Sequence, residues 1–207
     1  MKTRHLIVGL ILFLPLMLFT ITCENEPAIE TIEWEPDGAG FRQYKTNDSQ
    51  YYSWSFWYWK NASYQDPMTA FAVEAEAKKL SGCGGYGVDI IYCLQDSQNF
   101  YVLGISTYGS YRVGKRLNGS WFTIIDWTSS NHINTGYNVI NNLKVTYDGS
   151  TTFTIYLNGF IVDSFADSSF SGGKAGYLVS IADEDCENFP DEPVDVRYRM
   201  LQPVFDP

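Results

Sequence analysis

Positive charge is scarce in this sequence. Its 207 residues include 14 lysines and arginines against 24 acids, which gives a net charge of −10 and a pI near 4.5. Proteins that bind nucleic acids need a basic surface that displaces counterions from the phosphates, so this composition argues against a nucleic-acid partner. Only 18% of the residues are charged and 16% are aromatic, which argues against a disordered chain. The length fits one domain.

Metal-binding and nucleophilic motifs are also missing. No Cys-x-x-Cys pair occurs, and His132 is the only histidine after residue 22, so no zinc-ligand set can be assembled. A lone histidine in a predicted loop, among many Ser and Asp residues, does not define a catalytic triad. No stretch shows the sustained apolar stripe and the caps that a helix needs.

Long apolar runs are limited to the amino terminus. Leu6–Phe19 is almost continuously apolar and follows Lys2 and Arg4. A cationic start, a short apolar run and small polar residues after it are typical of an export signal, so residues 1–22 are predicted to be a signal peptide. The run is shorter than the roughly 20 residues that span a bilayer; a retained anchor helix is the alternative.

Cys23 directly follows this segment. The sequence Thr20-Ile21-Thr22-Cys23 resembles the lipobox of bacterial lipoproteins, although Thr20 and Thr22 replace the usual Leu and small residue. The resemblance implies that Cys23 is lipidated and becomes the mature amino terminus, which anchors the protein in a membrane, facing the periplasm or the cell exterior. Several acyl chains together hold a protein stably on a bilayer. Ordinary cleavage after Thr22 is the alternative.

Export permits disulfide bonds. The cysteines are Cys23, Cys83, Cys93 and Cys186. If none is lipidated, the three pairings that four cysteines allow are all open, and lipidation of Cys23 leaves at least one unpaired. Cys83 lies in a Gly-rich loop, Cys186 in an acidic loop and Cys93 in a predicted strand, so a Cys83–Cys186 bridge is the favoured pairing.

The mature chain divides into a polar tether, residues 23–40, and one domain, residues 41–207. Within the domain, apolar and polar residues alternate along short runs; in Phe71–Lys78 the apolar face alternates with Glu74, Glu76 and Lys78. This period places each set on one side of a pleated strand. Turn sequences such as Asn118-Gly119 and Asn158-Gly159 separate the runs and favour hairpins. The sequence predicts about twelve strands in an all-β, two-sheet antiparallel sandwich.

Several segments resemble a known superfamily. They are Phe71–Ser106, Gly109–Lys115, Asn118–Trp121, Ile124–Ser130, Ile133–Gly136, Phe153–Gly159 and Gly173–Tyr177. Their order and spacing are similar to those of concanavalin A-like lectin/glucanase domains, in particular the laminin-G-like group. The resemblance implies a jelly roll with one concave and one convex sheet. Such domains serve as lectins, glycosidases and adhesion modules, so the fold does not select the function.

An aromatic run is the most unusual feature of the sequence. Within Tyr51–Trp59, residues Trp54, Trp57 and Trp59 are the predicted carbohydrate-binding residues, because sugars stack their C–H faces on aromatic rings. The alternative is burial of these rings in the core, where large aromatics are common.

One set of carboxylates could support catalysis. Glycosidases use two carboxylates on one face, and Glu74 and Glu76 lie two residues apart on one predicted strand, within roughly 7 Å by strand rise. Asp89 lies on the next predicted strand and completes the set. The Glu-x-Asp-x-x-Glu signature of the glucanase members is absent, which favours the alternative of a solvated face with lysine partners.

The acidic loop near the carboxyl terminus could bind Ca²⁺ through Asp183, Asp185 and Glu187. A solvated acidic loop is the alternative, and no other cofactor is expected. Together the patterns predict an exported, lipid-anchored, non-catalytic domain that binds carbohydrate or a cell-surface partner. The alternatives are a glycoside-acting enzyme using Glu74 and Glu76, and an adhesion module that recognises a protein through its loops.

Overall fold

The structure is a computed structural model that describes residues 35–36, 42–46, 53–58, 70–82, 84–85, 88–181 and 194–201, with side chains described from residue 70 onward apart from 180, 181 and 200. The predicted signal peptide, Cys23, Cys83, Cys186, Trp59 and the acidic loop with Asp183, Asp185 and Glu187 lie outside the described residues. In the described ranges no helix is present that could cross a membrane.

Thirteen strands make up the described part of the fold. They are β1 (Glu35–Pro36), β2 (Arg42–Thr46), β3 (Ser53–Tyr58), β4 (Phe71–Ser81), β5 (Val88–Asp96), β6 (Asn99–Ile105), β7 (Ser110–Leu117), β8 (Ser120–Ser129), β9 (Asn141–Tyr147), β10 (Thr152–Leu157), β11 (Phe160–Ala166), β12 (Lys174–Ile181) and β13 (Val194–Met200). The two-residue strand β1 falls within the stretch predicted to be a tether.

The strands form two antiparallel sheets. One has seven strands in the order β1-β2-β13-β4-β9-β10-β11, and the other has six in the order β3-β12-β5-β6-β7-β8. Half of the strands that follow each other in sequence pair as neighbours, as in the run from β5 to β8. The other half, among them β4 and β5, belong to different sheets. The predicted two-sheet antiparallel jelly-roll sandwich is confirmed.

The period-2 pattern explains which side of each sheet faces the core. In β4 the residues Phe71, Val73, Ala75 and Ala77 are buried, while those between them are partly exposed. The same alternation holds in β9 and β10. The inner faces of both sheets supply one core, in which Phe153 stacks on Phe165 with ring centres 5.0 Å apart.

Three buried tyrosines link the two sheets through their hydroxyl groups. The Tyr198 hydroxyl, from β13, donates to the Leu178 carbonyl at 3.0 Å and accepts from the Asp89 amide at 2.9 Å, so it bridges β12 and β5 of the other sheet. Tyr101 donates to Asp167 at 2.6 Å and Tyr111 donates to Asp163 at 3.0 Å. Each hydroxyl therefore pairs a polar group that burial would otherwise leave without a hydrogen bond.

Two hairpins have the turns that their sequences predict. Asn118 and Gly119 have φ of 50° and 79°, and Asn158 and Gly159 have φ of 50° and 85°. Two consecutive positive φ values define the type I′ turn, which Asn-Gly favours because both residues tolerate the left-handed region. The Asn118-Gly119 turn joins β7 to β8, the two strands that carry the candidate site.

Cys93 lies in β5, as the sequence predicts. Its thiol is buried and unpaired. Burial in apolar surroundings raises the pKa of this thiol far above its ordinary value. A buried thiol of this kind is a poor nucleophile, since the thiolate is the reactive form.

Candidate functional site

The outer face of the seven-stranded sheet carries the two glutamates considered for catalysis. Glu74 accepts a hydrogen bond from Asn142 at 2.8 Å and lies 3.4 Å from the Lys144 ammonium. Glu76 accepts a hydrogen bond from Arg199 Nε at 2.8 Å. These partners come from the neighbouring strands β9 and β13. Lys144 lies opposite Glu74, whereas Asn142 and Arg199 lie opposite Glu76. This is the solvated, charge-paired face that the sequence analysis named as the alternative to catalysis.

Asp89 does not join these two glutamates. It lies on β5 of the six-stranded sheet, opposite Gly104 of β6, on the face that points away from the core. The sequence-based expectation of one carboxylate set was wrong because it assumed that β4 and β5 pair with each other. The chain crosses from one sheet to the other between them, so Asp89 and the glutamates lie on opposite outer faces of the sandwich.

The outer face of the six-stranded sheet is apolar at its centre. Ile90 points into the core between the sheets, whereas Ile91 points outward and is fully buried. A second apolar cluster surrounds Ile91 and consists of Leu94, Phe100, Val102 and Leu178. Strands that are apolar on both faces have continuous hydrophobic sequences, which is the pattern of Ile90–Leu94.

A row of side chains crosses β5, β6, β7 and β8 at one end of this face. Asp89, Gly104 and Arg112 lie opposite one another on successive strands. A Cβ atom at Gly104 would lie 1.9 Å from Asp89 Oδ1, so the carboxylate occupies the space that only glycine leaves open. The same Cβ would lie 3.5 Å from Arg112 Nε. Arg112 in turn places its guanidinium carbon 5.0 Å from the centre of the Trp127 ring.

A second row crosses β6, β7 and β8 nearer to the β7–β8 turn. Phe100, Arg116 and Trp121 lie opposite one another on β6, β7 and β8. The Phe100 ring meets Trp121 edge-on with centres 5.6 Å apart, and the Arg116 guanidinium carbon lies 6.0 Å from the Trp121 ring centre. Contacts of both kinds are favourable for an indole ring.

The Arg116 side chain is held in place by main-chain groups. Its Nε donates to the Gly119 carbonyl at 3.2 Å and its Nη1 donates to the Ser97 carbonyl at 2.9 Å. Two turns of the sheet thus fix the guanidinium beside Trp121. The indole is 43% exposed although it is packed on two sides, so it forms a pre-ordered aromatic platform on the surface.

The edge of the sandwich next to this platform is fixed by Asp167. Its carboxylate lies 2.5 Å from the Lys115 ammonium and accepts hydrogen bonds from Tyr101 at 2.6 Å and from the Ser169 amide at 2.8 Å. Partial burial raises the pKa of this carboxyl group, but the hydrogen bonds from Lys115, Tyr101 and Ser169 outweigh burial and leave its pKa below the ordinary value. Asp167 therefore ties β6 and β7 to the segment that follows β11.

The residues Trp121, Trp127, Arg112 and Arg116 were not singled out as site residues by the sequence analysis. The signal was present in the two Arg four residues apart on β7 and in the two Trp on the next strand. The sequence of β8 does not reveal which face each tryptophan occupies, because the β7–β8 pairing shifts register twice. The shifts lie between Tyr111 and Val113 and between Val113 and Gly114. Each shift changes which face the following residues occupy.

The predicted tryptophans Trp54 and Trp57 lie in β3 of the same sheet. Trp54 pairs with Ser180 and Trp57 with Tyr177 of β12. Their side chains lie outside the described set, and Trp59 lies outside it altogether. Sugar binding by these three residues stays a prediction.

No metal centre is evident in the described part of the chain, where no group of three or more His, Cys, Asp and Glu residues converges. The Ca²⁺ prediction for Asp183, Asp185 and Glu187 is untested. His132 lies in the loop between β8 and β9 and stacks on Phe160, with ring centres 4.3 Å apart.

A small cavity lies between the sheets beside Lys79. Its volume of about 10 Å³ is close to that of one enclosed water, so it is far too small for a sugar. Burial lowers the pKa of the Lys79 ammonium to about 8, against the opposing attraction of Asp89. The half-exposed Trp121 on β8 is a better candidate for ligand binding than this cavity.

Comparisons with known proteins identify the fold but not a family. No family model matches this chain, and no curated protein matches it. Among solved structures, it is similar to the carbohydrate-binding module CBM66 from Bacillus subtilis, with a TM-score of 0.56, 18% identity and coverage of 76% of this chain and 83% of that one.

Two structures of the binding domain of botulinum neurotoxin DC are similar as well. The complex with rat synaptotagmin II has a TM-score of 0.51, 13% identity and coverage of 81% of this chain and 40% of that one. The complex with SialylT has a TM-score of 0.50, 13% identity and coverage of 81% and 39%. At such low identity these likenesses show a shared β-sandwich fold and do not carry a function to this chain.

Proposed function

We propose that this protein binds carbohydrate without chemically changing it, through the outer face of the six-stranded sheet. The observation that carries the proposal is the half-exposed Trp121 ring, fixed by Phe100 and by the anchored Arg116. A rigid aromatic plane beside a guanidinium offers an apolar surface for the C–H face of a sugar and donors for its hydroxyls. Little side-chain freedom is lost on binding, because the platform is already ordered.

The fold neighbours support this proposal at the level of ligand class. One of them is named as a carbohydrate-binding module, and the toxin domains are described in complex with SialylT or with rat synaptotagmin II. Carbohydrate or a cell-surface protein is therefore the expected partner. The aromatic and arginine chemistry of the six-stranded sheet favours carbohydrate.

The partners of the glutamates favour binding over hydrolysis. A retaining or inverting glycosidase needs two carboxylates that flank the scissile bond and play different roles. Glu74 and Glu76 instead occupy equivalent positions, each with a cation from a neighbouring strand. Asp89 lies on the other outer face of the sandwich.

Export and a lipid anchor are the second part of the proposal. They rest on the apolar segment within residues 1–22 and on Cys23 directly after it. Labelling cells with a radioactive fatty acid tests the anchor. We expect label in the unmodified protein and none in Cys23→Ala, whereas equal labelling of both would contradict lipidation at this residue.

Binding is tested with the purified protein and a panel of immobilised polysaccharides and glycans. We expect retention on at least one member, and Trp121→Ala should weaken it by at least tenfold, since buried or stacked tryptophans dominate binding energies. Phe122→Ala is the matched control, because Phe122 is the next residue of β8 and is 46% exposed. Phe122 lies opposite Lys115, away from the platform.

Two results would contradict the proposal. One is a complete lack of retention across the panel, and the other is equal weakening by Trp121→Ala and Phe122→Ala. Variants of Trp54, Trp57 and Trp59 belong in the same experiment, because β3 lies in the same sheet and these residues are the predicted stacking positions. If these variants lose binding, the carbohydrate-binding surface extends from β8 to β3.

A further inference from the structure

The same pair of side chains occurs twice on the outer face of the six-stranded sheet. Arg112 lies over Trp127 and Arg116 lies beside Trp121, with both arginines on β7 and both tryptophans on β8. Each pair combines an aromatic plane with a cationic group that donates several hydrogen bonds. One such pair can bind one sugar ring. Two pairs on the same face can bind two rings of one polysaccharide chain.

The spacing of the two pairs exceeds the size of one ring. Arg112 and Arg116 are four residues apart on β7, which at about 3.3 Å per residue corresponds to about 13 Å. A hexose ring is about as wide as the six-membered ring of an indole. One sugar therefore cannot contact both pairs, and a disaccharide spans the distance only in part.

The residues between the two arginine–tryptophan pairs have small side chains. Gly114 lies between Arg112 and Arg116 on the same side of β7, and it faces Thr123 of β8. Gly114 has no side chain, and a Cβ atom there would already lie 3.2 Å from the Phe122 carbonyl oxygen. Thr123 is small and exposed and carries a hydroxyl. Gly114 is itself buried, so the exposed Thr123 is the residue that a linear chain would meet between the two tryptophans.

We propose that this face takes an extended oligosaccharide of at least three sugar units, lying along β7 and β8, rather than a single or terminal sugar. The inference rests on the proposed carbohydrate-binding function and specifies its ligand class. Trp121 holds one end of the segment and Trp127 the other. The exposed Thr123, next to the buried Gly114, lies beneath the units between them.

Chain length tests the proposal directly. The probes are oligosaccharides of one to six units prepared from cellulose, xylan, laminarin, levan and polygalacturonate, titrated into the purified protein by calorimetry. For a series that binds, we expect affinity to rise at least tenfold between one unit and three or four units, and then to level off. A series that reaches full affinity with one or two units would overturn the extended-chain proposal and leave carbohydrate binding intact. No binding by any series would overturn both.

Three variants test whether both tryptophans contribute to the rise in affinity with chain length. Trp121→Ala and Trp127→Ala should each remove most of the length-dependent gain, so that a hexasaccharide binds about as weakly as a disaccharide. Thr123→Leu, a substitution at the exposed position between them, should have the same selective effect with little change for a monosaccharide. Phe122→Ala serves as the control that keeps the full gain. If Trp127→Ala leaves the length dependence unchanged while Trp121→Ala abolishes binding, a single platform suffices and the proposal is wrong.

Discussion

The two outer faces of the sandwich differ in how their polar groups are paired. On the seven-stranded sheet, Glu74 and Glu76 lie opposite basic residues of the neighbouring strands and form ordinary surface ion pairs. On the six-stranded sheet, Asp89 is buried against Gly104, and Trp121 stands half exposed beside a fixed arginine. The seven-stranded face carries charge pairs between neighbouring strands, whereas the six-stranded face carries a half-exposed indole held in a fixed position.

The difference shows why the carboxylates alone were a weak guide to function. Exposed ion pairs contribute little to stability and are common wherever a sheet faces water. An ordered aromatic ring that remains half exposed beside a fixed arginine offers a surface on which a ligand can stack. The predictions below test this contrast, beginning with the largest expected effect.

Substitution of Gly104 should be the most damaging change on the six-stranded face. In Gly104→Ala the new methyl group would overlap Asp89 Oδ1, and the nearly fully buried carboxylate has to move. We expect the free energy of unfolding to fall by about 3 kcal/mol, the upper part of the usual range for overpacking, with weaker carbohydrate binding. Urea denaturation measures the first effect and calorimetry the second.

Gly85→Ala is the matched control for that change. No atom lies within 4 Å of the position that a Cβ would take at Gly85. Its stability should stay within about 0.5 kcal/mol of the unmodified protein. Equal destabilisation by the two variants would show that the Asp89 contact is not the reason.

Removal of one hydroxyl should loosen the link between the sheets. In Tyr198→Phe, the Leu178 carbonyl and the Asp89 amide lose their shared partner. A buried polar group without a partner costs about 1–3 kcal/mol, so we expect a loss of about 2 kcal/mol in thermal or urea unfolding. Tyr156→Phe, on the outer face of the seven-stranded sheet, should be nearly neutral. A neutral Tyr198→Phe would mean that β5 and β12 re-form the bond directly.

Acid should weaken the edge of the sandwich beside the platform. The pKa of Asp167 is lowered in the folded protein, so its stabilising effect is complete above its unfolded pKa of about 4 and is lost as the pH falls further. We expect the unmodified protein to lose on the order of 1–2 kcal/mol more than Asp167→Asn between pH 5 and pH 2. Thermal unfolding across this range measures the difference. Parallel pH curves for the two proteins would rule out the Asp167 contribution.

The smallest effect is expected on the seven-stranded face. Glu76→Gln removes the charge from a partly exposed pair with Arg199, which should cost about 0.5 kcal/mol or less. Binding to any retained polysaccharide should be unchanged. A large loss of binding in this variant would show that the seven-stranded face and its glutamates take part in ligand binding, contrary to the proposal.

Much of the fold could be predicted from the sequence because its strands follow simple rules. The alternation in Phe71–Lys78 and the Asn-Gly turns depend on local geometry alone, and both appear in the structure as expected. Which strands pair with each other could not be predicted from these local rules. Asp89 was placed beside Glu74 and Glu76 because consecutive strands usually pair, and only the three-dimensional path of the chain shows that β4 and β5 separate.

The platform was harder to predict than the core. A strict period of two would place Trp121, Ile125 and Trp127 on one face of β8. The register shifts in the β7–β8 pairing instead turn Ile125 toward the core opposite Val113 and leave Trp127 beside Arg112. Bulges of this kind depend on the pairing of two strands and leave no clear mark in the sequence of either one.

Hydrogen exchange with and without a retained polysaccharide tests the central claim most directly, because bound ligand slows the opening of the segments that it covers. The account predicts added protection in peptides from β7 and β8, residues 110–129, and little change in β4 and β9, residues 71–81 and 141–147. Protection confined to β4 and β9 would place the ligand on the seven-stranded face and contradict the account.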